Sequence, residues 1–116
     1  AKMKLNWKFL ECNEGDYKVC EGLTILNLGP GHARGVLALK VDLEKTGTVI
    51  ITSDAVYCTE NYELEREPGV VYDTVGWRKS LKYIKKVAKE SKAQVWFGHD
   101  RKQFDTLVKA PGGFYE

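Results

Sequence analysis

The chain has 116 residues, 43% hydrophobic and 29% charged, with 18 Lys and Arg against 16 Asp and Glu and a formal net charge of +2. That composition excludes collagen-like and disordered classes, and no apolar run reaches the ~18 residues that a membrane span needs. The length fits one small domain with its own core, and the near-balance of charge is too weak a bias to point to nucleic acid.

In chain order, residues 5–11 and 17–28 carry the β-branched and aromatic content of strands, with a turn signal at 13–16 and an interruption at Gly22. Gly29-Pro30-Gly31-His32 breaks the regular structure, because Pro removes a backbone donor and Gly permits positive φ. A strand is expected over 36–43, a turn over 44–47 and a strand over 48–53, which places Asp54 at a strand end. Residues 54–69 read as a long polar loop, long enough to be a candidate functional segment, whose acidic stretch, Glu60 to Glu67, solvates it. Asp73 or Thr74 caps a helix whose apolar positions Trp77, Leu81, Ile84 and Ala88 recur at helical spacing, with the lysines between 79 and 92 on its solvated arc. A short buried strand over 94–98 leads into His99-Asp100, and the residues beyond carry no clear pattern.

Cys12, Cys20 and Cys58 are odd in number and form no CxxC, so they support neither a disulfide framework nor a zinc motif; they read as small buried apolar residues in a reducing cytoplasm. Trp7, Trp77 and Trp96 read as core residues. His32 and His99 are the only histidines, which limits what metal chemistry the chain can do alone. With Asp54 they fall in loops at strand ends, where a rigid scaffold presents functional side chains, and two imidazoles and a carboxylate are donors that zinc takes. Ala1 stands where an initiator Met would, so the chain is expected to be trimmed or cut from a longer one.

Three segments, Gly29-Pro30-Gly31-His32 before a strand, TVIITSDAVYCTENYE, and QVWFGHD after a helix, resemble in order and spacing the C-terminal half of the metallo-β-lactamase-fold hydrolases, above all the N-acyl homoserine lactonase branch. The resemblance implies an α/β (α+β) fold, with residues 1–116 forming half of an αββα sandwich that has a mixed or antiparallel sheet and one long amphipathic helix. It implies one or two zinc ions or other divalent metals, with Asp54 bridging, His99 a terminal ligand, and the Tyr57 phenol an oxyanion donor to a lactone or related ester. The family writes the turn as Pro-Gly-His-x-x-Gly-His; the ligand is expected at its second His, where this chain has Val36, so one metal would lose a ligand unless His32 swings in or a water substitutes, and the site would be asymmetric, weakly occupied at one metal, or mononuclear.

The family's His-x-His-x-Asp-His motif is absent. The favoured reading is therefore part of a metal-dependent, lactonase-like hydrolase of the cytoplasm, inactive alone and completed by a missing N-terminal half or a second chain, with no nucleic-acid or membrane partner. The alternative is a degenerate, non-catalytic module of the same fold kept for association with a partner chain.

Overall fold

Alternation along Val36–Leu43 (β3) sends Val36 and Ala38 to one side of a sheet and Leu37 and Leu39 to the other. In this computed structural model, which describes residues 3–116, β3 lies at the centre of five strands in the order β1-β2-β3-β4-β5. The others are β1 (Tyr17–Cys20), β2 (Leu23–Gly29), β4 (Gly47–Ile51) and β5 (Gln94–Trp96). The first four form an antiparallel meander, while β4 and β5 run parallel. Parallel neighbours need a crossover connection. It is supplied here by α2 (Thr74–Ser91), preceded by a 3₁₀ turn at Ser53–Ala55 and a short α1 (Thr59–Glu63).

The core lies between α2 and one sheet face, where Leu26, Leu28, Val36, Ala38 and Ile50 meet Trp77, Leu81, Ile84 and Ala88. Asp73 caps α2 by accepting from the Gly76 N–H at 2.9 Å, as its position before the apolar period predicts. Trp77 is wholly buried, and its Nε1–H donates to the Ala55 carbonyl at 2.8 Å. The opposite face carries a row of partners, Tyr17, Ile25, Leu39, Ile51 and Trp96, in register across all five strands. Trp7 and Phe9 approach Leu37 at one end of this face and Tyr115 stacks on Trp96 at the other. Between them Leu37, Leu39 and Ile51 are 42, 38 and 38% exposed, an apolar stripe with no second layer over it among the described residues. No helix among the described residues is long and apolar enough to cross a membrane.

Several expectations are corrected. Residues 5–11 form no strand, and Leu5, Trp7 and Phe9 are exposed, because their alternation finds no partner edge among the described residues. Cys12 and Cys20 are exposed and Cys58 is half-buried, so none is a core residue. The loop after Asp54 is partly helical, and a further helix, α3 (Arg101–Thr106), follows β5. Val36 belongs to the buried cluster with Ala38 and also lines the cleft that holds His32, Ser53 and Asp54.

Two measurements check this packing. Replacing Trp77 with Phe leaves the Ala55 carbonyl without its donor and opens a void, and is expected to lower the unfolding free energy by about 2–4 kcal/mol in urea titration. Tyr83 is pushed up to about 12 by partial burial and by its hydrogen bond, 2.5 Å, to Asp16. A folded-state pKa above the unfolded value stabilises the fold at lower pH, and that contribution is lost as pH rises from about 10 to about 12. Tyr83→Phe is therefore expected to flatten the alkaline fall in the urea midpoint over that window, relative to the parent chain.

Candidate functional site

Asp54 sits in the 3₁₀ turn that ends β4, and His99 follows β5, its parallel neighbour. Parallel pairing brings the two ends together across 45 residues of chain, and the His99 Nε2–H donates to Asp54 Oδ1 at 2.7 Å. The other carboxylate oxygen, Oδ2, lies 3.7 Å from Nε2 of His32. One carboxylate thus addresses two imidazoles, each by its Nε2.

His32 is delivered by the Gly29–Gly31 turn, where Gly29 has φ +67°. That turn is seated on the start of α2: the Tyr72 and Asp73 N–H groups both donate to the Gly31 carbonyl at 2.9 Å. A side chain at Gly76 would meet the Pro30 carbonyl oxygen at 2.1 Å, so the close approach requires glycine there. His32 Nδ1 lies 3.1 Å from the Val70 carbonyl oxygen and 3.1 Å from the Tyr57 hydroxyl. In one neutral tautomer Nδ1–H donates to Val70; in the other Nδ1 accepts from the phenol. The Tyr57 ring lies edge-on between the imidazoles, with centroids 5.6 Å from His32 and 4.7 Å from His99. The four side chains singled out in the sequence, His32, Asp54, Tyr57 and His99, are therefore neighbours.

Imidazole nitrogens and a carboxylate are the ligand types that zinc takes. Their number falls short: His99 and Asp54 close a direct hydrogen bond, and among the described residues no group of three or more His, Cys, Asp or Glu is arranged to hold an ion. The set fits a metal as a contributor of donors and not as a complete cage. At the rim, Phe97, Arg101 and Phe104 line a shallow cleft beside His99.

Sequence reasoning missed Asp100, Thr59 and Gln103. Asp100 caps α3 and also accepts from Thr59, which holds its carboxyl well down, at about 2, through the Thr59 hydroxyl first and the Gln103 and Thr59 amides next. Gln103 bridges β5 by accepting from the Phe97 N–H and donating to the Val95 carbonyl, both at 2.8 Å. The signal was present, since Asp followed three residues later by Gln is a helix-start pattern.

No protein-family model matches the chain. Among curated proteins it is similar to the N-acyl homoserine lactonase AiiB of Agrobacterium fabrum, 40% identical over 112 residues, which are 96% of this chain and 41% of that protein. Among solved structures it matches an N-acyl homoserine lactone hydrolase with the product N-hexanoyl-L-homoserine bound at its catalytic metal centre, with TM-score 0.80 and 37% identity over 89% of this chain and 40% of the other. AidC, a dizinc quorum-quenching lactonase with a product bound, matches with TM-score 0.60 and 18% identity over 94% of this chain and 37% of the other, which is a likeness of fold alone. The chain spans about two fifths of the length of the curated relatives it matches.

Gly98 tests the geometry. A Cβ there would stand 2.7 Å from the Ser53 carbonyl oxygen, so Gly98→Ala must push the His99 segment off the Asp54 turn. The expected cost is about 1–3 kcal/mol in urea titration, with loss of the nuclear Overhauser contacts between the Tyr57 and His99 rings.

Proposed function

We propose, from the premise that this chain is a relative of the N-acyl homoserine lactonases in sequence and fold, that it is the C-terminal part of a metal-dependent hydrolase acting on a lactone or related ester. The observation that carries this is the Asp54 carboxylate, whose two oxygens each address a different histidine. In this reading Asp54, His99 and His32 hold the metal, zinc by the nature of the donors. The donor from the Pro-Gly turn is His32, since Val36, which lines the same cleft as His32 and Asp54, has no lone pair to offer. The remaining donors come from an N-terminal half with the His-x-His-x-Asp-His motif, which covers the open face around Leu37, Leu39 and Ile51. When bound, zinc supplies a Lewis acid and a water of lowered pKa.

This chain's own groups then have separate tasks. Asp54 and the two histidines set the place and charge of the centre. Tyr57 donates its phenol hydrogen to the substrate's carbonyl oxygen as negative charge builds on it, a gain larger in the transition state than in the ground state. His32 holds the phenol in reach through the 3.1 Å contact at Nδ1. The open apolar face also favours the second reading, a module kept for association without catalysis, because both readings require a partner there.

The test joins the chain to an N-terminal half from one of its lactonase relatives and follows ring opening of an N-acyl homoserine lactone with zinc. The chain alone is expected to be inactive and the joined protein active. Tyr57→Phe is expected to lower kcat by about 10²-fold, and Asp54→Ala to abolish turnover and zinc retention together. Turnover that survives Asp54→Ala overturns the assignment; a joined protein that folds, binds zinc and hydrolyses nothing favours the association module.

A further inference from the structure

Asp100 stands next to His99, yet its carboxylate is turned away from the histidines and fully engaged with its neighbours. Oδ2 accepts from the Thr59 N–H at 2.8 Å and from the Thr59 hydroxyl at 2.6 Å, while Oδ1 accepts from the Gln103 N–H at 3.0 Å. The Oδ1 bond alone suffices to cap α3. The two Oδ2 bonds run to a residue 41 positions earlier in the chain, at the start of α1, and α3 does not need them.

Their place shows what they hold. Beyond the ends of β4 and β5 the two segments stay side by side: the Thr52 N–H donates to the Trp96 carbonyl at 3.0 Å, Gly98 to Val56 at 3.3 Å, and His99 to Tyr57 at 2.8 Å. The Asp100–Thr59 bonds are the last rung of this ladder, one residue past His99 and two past Tyr57. Gln103 pins the other side of the His99 segment through Phe97 and Val95. The Tyr57 and His99 rings, 4.7 Å apart, are thus carried on two strips of backbone whose far ends are joined by one side chain.

We infer that Asp100 is a positioning residue, a clamp that fixes the His99 imidazole against the Tyr57 phenol and so against Asp54. A carboxylate is suited to it because it accepts three hydrogen bonds at once and has no proton to misdirect. The clamp is a property of the fold of this chain; its use in catalysis rests on the lactonase reading.

The test compares Asp100→Ser with Thr59→Val in the full chain. Serine keeps the cap of α3 but is too short to reach Thr59 as well, and valine removes one of the two Oδ2 donors while leaving the cap intact. Amide hydrogen exchange at His99 is expected to quicken about tenfold or more in Asp100→Ser, the loss of charge-assisted hydrogen bonds expressed as a rate ratio. The Thr59→Val effect is in the same direction and smaller. The Tyr57–His99 Overhauser contacts weaken in both, while core amides of β3 and β4 keep their protection. In the joined, zinc-loaded protein Asp100→Ser is expected to lower kcat/KM with zinc still bound. If Asp100→Ser leaves His99 exchange and the ring contacts unchanged, the clamp is wrong and Asp100 is only a cap. If Asp100→Ser unfolds the chain, Thr59→Val decides by the same two readouts. Loosened His99 in a joined protein that never hydrolyses lactones upholds the clamp and sinks the catalytic reading.

Discussion

The indole of Trp77 is the contact on which the rest of the arrangement depends. It is fully buried on the first turns of α2 and donates to the carbonyl of Ala55, one residue after Asp54, while the backbone of the same residue lies against Gly31, one residue before His32. A single residue therefore meets two loops that come from different strands, one through its side chain and one through its backbone. A smaller side chain would leave the Ala55 turn without its buried donor, and a ~1 Å error there is enough to separate carboxylate from imidazole.

Around that anchor the site is built almost wholly from backbone hydrogen bonds, with the functional side chains at the margin. His99 is more than half exposed, as Asp54 nearly is, so no dry pocket protects their pairing. An exposed ion pair or hydrogen bond of this kind contributes little stability by itself. Its geometry is maintained by the rungs beneath it, from Thr52–Trp96 to Thr59–Asp100. This division of labour, rigid main chain below and accessible donors above, is what the proposed centre, completed by donors from outside the chain, would require.

The parts of the fold that were legible in the amino-acid sequence are those that a local period settles. The stripe Trp77, Leu81, Ile84, Ala88 with Asp73 before it defined α2, and the apolar run 36–43 defined β3 with its observed bounds. What period could not settle was phase: Val36 and Ala38 alternate with Leu37 and Leu39, all apolar, so nothing local says which pair faces α2. Val36 and Ala38 are the pair that joins the α2 core, Val36 also lining the cleft at Asp54, and His32 is the histidine brought to that carboxylate. Residues 5–11 failed for a different reason, because alternation describes a face awaiting a partner and does not provide the partner. The helix α3 has no apolar stripe at all; its six residues are held by the Asp100 cap and the Gln103 bonds, which become visible only when β5 is in place. His32, Asp54, Tyr57 and His99 were found through wording, and their mutual distances came from topology.

The parallel pairing of β4 with β5 also gives the functional corner a different closure from the rest of the sheet. Strands β1 to β4 each pair with the next in sequence through short turns, contacts that close quickly. Asp54 and His99 meet across 45 residues, a closure that α2 and its crossover bridge. The pairs of the meander are local, whereas the functional corner depends on the whole crossover being in place, so the donors of the site are tied to α2 in a way that the sheet is not.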